Sequence, residues 1–164
     1  MRLNKILRVG IVIACVLFAY LLKLEKYEGF SNTSPDYKSL MTVYKQIELL
    51  KYASTKLDAI PVTNMDYTEK AAIKERIDLV EKQLQGWITD RITYLNKNNV
   101  IETKPNTNET LDGLKNIWLG KDGSGGIRIL VTNAIDKLDP TDDSQGSIIE
   151  LMETVTKNID SEIS

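Results

Sequence analysis

The sequence predicts an all-α protein: an N-terminal transmembrane helix, then a helical bundle with two long antiparallel helices and shorter covering helices. Three observations carry this. An uncharged apolar run, Val9 to Leu22, stands near the start of the 164 residues. Beyond residue 34, apolar side chains recur at intervals of three and four, the period of one helix face. Proline- and glycine-bearing stretches cut that pattern into pieces of helical length. The chain divides into a basic N-terminus with its anchor (1–27), a tether (28–34) and a helical domain (35–164).

The apolar run comes first. Its 14 residues would make a helix of about 21 Å, against the roughly 30 Å of a bilayer core. Ile6, Leu7 and Leu24 lengthen it to about 28 Å, with Arg8 and Lys23 placed to snorkel. The anchor residues are Arg8, Val9, Ile11, Val12, Ile13, Val16, Leu17, Phe18, Tyr20, Leu21, Leu22 and Lys23. Tyr20, Tyr27 and Phe30 suit the interfacial belt. A cleaved signal peptide is a competing reading, but Lys-Leu-Glu-Lys-Tyr-Glu, all large, follows the run where small residues are needed. A lipidated Cys15 is another, but only six apolar residues precede it. The retained anchor fits best. Arg2, Lys5 and Arg8 precede the span and Lys23 and Lys26 follow it. This predicts a single-pass protein with a cytoplasmic N-terminus and its helical domain on the opposite side.

After the tether, Ser34-Pro35-Asp36 is a helix start: an N-cap, a proline at the first helical position and an acid in the first turn. Leu40, Val43, Tyr44, Ile47, Leu50, Ser54 and Leu57 then fall on one face in near-heptad spacing. Pro61 ends this helix near Ile60. A second helix follows from about Asp66 to Asn96. Its stripe is Ile73, Ile77, Val80, Leu84, Trp87/Ile88, Ile92 and Leu95, and Gly86 interrupts it, leaving room for close packing beside Trp87. The short connection between the two makes them antiparallel. Residues 96–110, rich in Asn and Thr, read as a loop. Leu111, Leu114, Ile117 and Trp118 form a short amphipathic helix. Ile127, Leu130, Val131, Ala134, Ile135 and Leu138 form another. Asp139-Pro140 caps a last helix with Ile148, Met152, Val155, Ile159 and Ile163 on its face.

Composition narrows the function. The net charge is −2, but residues 1–30 carry five Lys/Arg against Glu25 and Glu28. The remainder therefore sums to −5 and has no basic stripe, which argues against a nucleic-acid partner. There is no histidine, and the single cysteine, Cys15, lies in the apolar run. An intrachain disulfide is impossible, and zinc and most transition metals lose their usual ligands. Ser–His and Cys–His catalysis is ruled out. The expectation is no enzyme and no cofactor.

Several motifs invite sharper readings. Gly120-Lys-Asp-Gly-Ser-Gly-Gly126 lacks the spacing of a phosphate loop and reads as a flexible turn. Asp139, Asp143 and Glu150 fall at positions 1, 5 and 12 of a calcium-loop register. Ser144 replaces the glycine of its sharp turn, so the stretch reads instead as an acidic helix N-terminus. Asn32 and Asn108 head glycosylation sequons in predicted loops. Trp87 and Trp118 are core residues by default and become interface anchors where exposed.

Basic residues, one apolar run and the junction Lys26-Tyr-Glu-Gly-Phe30 precede a polar domain. In this layout the first 30 residues resemble single-pass membrane proteins in virions of large eukaryotic DNA viruses. The resemblance implies a minor structural protein that links an internal membrane to a capsid shell, with capsid proteins as partners. The expected function is thus a membrane-anchored structural or interaction protein whose partners are the lipid bilayer and other proteins, with self-association an open route. A secreted or lipid-linked helical adaptor of a cell envelope is the alternative.

Overall fold

The computed structural model of the protein describes residues 35–97, 109–121 and 125–164. The apolar run, the tether and the two sequon asparagines, Asn32 and Asn108, lie outside them. Five helices are present: α1 (Pro35–Ala59), α2 (Tyr67–Lys97), α3 (Glu109–Leu119), α4 (Ile127–Ile135) and α5 (Asp143–Ile163). There is no strand among the described residues, and no helix there is long and apolar enough to cross a membrane. The all-α expectation holds, and the helical limits fall within a few residues of those the sequence suggests.

Local chemistry sets the boundaries. α1 stops before Pro61, whose carbonyl accepts from the amides of Asn64 (3.0 Å) and Met65 (3.2 Å) in a tight turn. The Lys70 ammonium donates to the Ile60 carbonyl and ties α2 to that turn. α2 opens with a reciprocal capping box: the Glu69 amide donates to Asp66 (2.8 Å), and the Asp66 amide donates to the Glu69 carboxylate (3.1 Å). The cap of α5 is Asp142, which accepts from the Ser144 amide at 2.8 Å. This corrects the expected cap at Asp139-Pro140. The Asp139 carboxylate is occupied instead by the amide and hydroxyl of Thr141, closing its own turn.

Cross-links fix the helix directions. Asp36 near the start of α1 meets Arg91 near the end of α2 (2.8 Å), and Asp58 near the end of α1 meets Lys74 (2.7 Å). Ser39 donates to Glu162 (2.9 Å) at the end of α5, while Asn64 donates to Asp142 (3.0 Å) at its start. Both α2 and α5 are therefore antiparallel to α1 and flank it. α4 lies between α2 and α5, with Arg76 donating to the Asn133 carbonyl (2.9 Å). α3 packs on α1, α4 and α5 toward the end of the bundle where α1 begins.

The core contains Val43, Leu50, Ile77, Leu84, Trp118 and Met152, all essentially inaccessible. Two assignments in α1 need correction. Tyr44 is 50% exposed, and Ala53 is buried where Ser54 was expected. The reason is that α1 is covered from two sides, so its buried surface is broader than one heptad seam. Ser39, Gln46 and Ala53, seven residues apart, are also buried. Ser39 and Gln46 face α5: the Asn158 side-chain amide donates to Gln46 Oε1 at 3.1 Å, and Gln46 Nε2 donates to the Thr42 backbone carbonyl.

Leu50 has no exposed surface, so Leu50→Ala should cost about 2–5 kcal/mol in a urea titration. The Ser144 hydroxyl, then Asn64 and the Ser144 amide, stabilise the charged form of Asp142 and lower its pKa from 3.8 to about 2. A lowered carboxylate pKa stabilises the fold above the unfolded value, and this is lost as pH falls through the folded one. Thermal stability should therefore drop between about pH 4 and pH 2. Asp142→Ala should flatten that drop in melting curves.

Candidate functional site

A concave surface with apolar side chains in its lining lies on α2, against the end of α3 and the start of α4. α2 contributes Leu79, Gln83, Gly86, Trp87 and Asp90, four of them spaced along its outward strip. Asn116 and Ile117 come from α3, and Ile127, Ile129 and Leu130 from α4. The groove encloses about 670 Å³. Leu79 (40%) and Ile129 (48%) are openly exposed, and Trp87, Ile117 and Leu130 are partly buried in its wall.

Buried chemistry holds the far wall in place. Trp118 is completely buried and donates its indole N–H to Asp160 Oδ1 at 2.7 Å. The other oxygen of Asp160 takes two bonds from Arg128, at 3.1 and 2.9 Å. One carboxylate on α5 thus pins the end of α3 and the first turn of α4. The link between them is closed by glycine backbone. Gly120 has φ 81°, which ends α3 in the left-handed region. Gly126 lies so close to the Trp118 carbonyl and the Gly120 amide that a Cβ could not fit. The ends of the sequence's flexible turn are therefore in direct backbone contact.

Gly86 marks the middle of the α2 face. A Cβ there would meet nothing within 4 Å, so it does not serve packing beside Trp87 as the sequence suggests. That role falls to Gly113, where a Cβ would come within 3.4 Å of the Trp87 indole nitrogen. A mid-helix glycine costs about 1 kcal/mol against alanine. On its other side Gly86 borders a second depression of about 560 Å³, whose lining residues carry charged or polar ends: Asp78, Glu81, Lys82, Gln85, Thr89 and Asp90.

The two tryptophans thus separate. Trp118 is a core residue and is removed from the interface candidates. Trp87 lines the exposed groove and stays. Asp139, Asp143 and Glu150 do not form a calcium loop: helix begins at Asp143, Glu150 follows two turns along it, and no metal-holding group of acids occurs among the described residues. Asp160 and Gly113 were missed by sequence reading, because neither stands in a motif. Their partners come from other helices.

Comparison of the chain with protein-family models, curated proteins and solved structures found no match in any of the three.

Asp160→Ala would strand a buried indole N–H and release Arg128. It should cost about 1–3 kcal/mol of stability, with a red shift in tryptophan emission as α3 loosens.

Proposed function

We propose that the protein is a membrane-anchored interaction protein, in the role of a minor virion component joining a membrane to a protein shell. The observation that carries this is the order of parts along the chain. An apolar run with snorkelling cations at both ends, Arg8 to Lys23, is followed by a seven-residue tether and a helical domain. A tether of that length reaches at most about 25 Å. The domain therefore works close to the bilayer, as a local connector does and a freely ranging receptor does not.

The groove on α2 supports the interaction half of the reading. It offers apolar contact from Trp87, Ile117 and Ile129 with hydrogen-bonding groups at its edge, the make-up of a protein-binding surface. Trp87 is its natural anchor residue.

Full-length protein should remain in the membrane pellet after alkaline carbonate extraction, with an intact N-terminus by mass. Release into the supernatant, or a mature N-terminus near Asn32, would remove the anchor. A lipid-modified Cys15 would establish the lipid-linked alternative.

A further inference from the structure

The geometry points to an amphipathic helix with a cationic face as the occupant of the α2 surface, its backbone crossing α2 at Gly86. This rests on the groove reading above and adds the chemistry of the partner. Three observations support it. First, Gly86 weakens the middle of a 31-residue helix, and nothing from another element among the described residues uses the space its missing side chain leaves. Bare backbone on an outward helix face permits close approach of another backbone, as small residues do at helix–helix contacts. Second, the two depressions meet at Gly86 and Asp90. On one side stand apolar groups, Leu79, Trp87 and Ile129; on the other stand polar ones. A partner matching both must itself be apolar along one edge and polar along the next, which is the pattern of an amphipathic helix.

Third, the polar side is acidic. Asp78, Glu81 and Asp90 line it against the single cation Lys82. The nearby cations only partly offset these acids: Lys51 also feels Glu81 and Lys74 also feels Asp78, but their direct ion pairs are with Glu48 at 3.0 Å and Asp58 at 2.7 Å. A second copy docking the same face would set these acids against each other across the two-fold axis. Charge complementarity therefore favours a Lys- or Arg-bearing helix of a different protein.

The probes are three fluorescein-labelled 18-residue helical peptides, Leu/Lys, Leu/Gln and Leu/Glu, titrated against the full chain in phosphatidylcholine nanodiscs with empty discs as blank. Leu/Lys should bind at least tenfold more tightly than Leu/Gln, and Leu/Glu should not bind. Gly86→Leu should melt higher than the parent, because a helix-favouring side chain enters open space, yet lose tenfold or more in Leu/Lys affinity. Asp78→Asn with Asp90→Asn should erase the preference for Leu/Lys over Leu/Gln. Equal binding of Leu/Lys and Leu/Gln, still lost in Gly86→Leu, would overturn the cationic partner and leave the groove reading standing. Binding unaffected by Gly86→Leu, or no binding of any peptide, would overturn the crossing at Gly86. The carbonate result is independent of all these outcomes.

Discussion

Everything in the bundle depends on α1 being buried along two seams at once. α2 and α5 both run against it, and neither makes a comparable interface with the other. The seam toward α2 is held at its ends by ion pairs, Asp36 with Arg91 and Asp58 with Lys74. The seam toward α5 contains hydrogen-bonded polar groups: Ser39 and Thr42 to Glu162, and Asn158 to Gln46. These have different physical roles. The exposed Asp58–Lys74 pair contributes little stability in water. The part-buried amide pair fixes which residues lie opposite one another, since sliding would take Asn158 away from Gln46.

With three positions of the bundle taken by long helices, the fourth is filled by two short ones. Neither α3 nor α4 is long enough to cover α2 and α5 from end to end. A split fourth position needs a fastening where the pieces meet, and Asp160 supplies it by accepting from both Trp118 and Arg128. Among the described residues it also leaves the outer strip of α2 uncovered, which is how the groove arises. The candidate site is thus a by-product of how the core is closed, bordered by residues whose first duty is structural.

Helix identity was legible because it depends on local period. Ile73, Ile77, Val80, Leu84 and Ile88 repeat at helical spacing and are all buried. Pro61, Gly120 and Gly126 mark real ends. The errors came where tertiary contacts decide. Tyr44 sits at a seam position by spacing but faces solvent, because α5 takes the neighbouring strip of α1. Ser39 and Gln46 are polar and lie off the apolar stripe, and only their seven-residue spacing with Ala53 marks the second seam in the sequence. The Asp66–Glu69 capping box stood in plain view as Asp-x-x-Glu. The groove is half legible: Trp87 and Gly86 stand side by side in the sequence, but their separation onto wall and open face follows from where α3 and α4 come to rest. Asp160 had no local signature, since its partners lie 32 and 42 residues away.

The antiparallel placement of α1 has a mechanical consequence. A pull on residue 35 directed away from the bundle acts along the axis of α1 and draws it lengthwise from between α2 and α5. Side-chain contacts on both seams are then loaded together in shear, not peeled one after another. Rupture under such a load is governed by the unfolding rate, not by equilibrium stability. A helix held on two sides and pulled end-on is a sound way to fasten a domain to whatever precedes it in the chain.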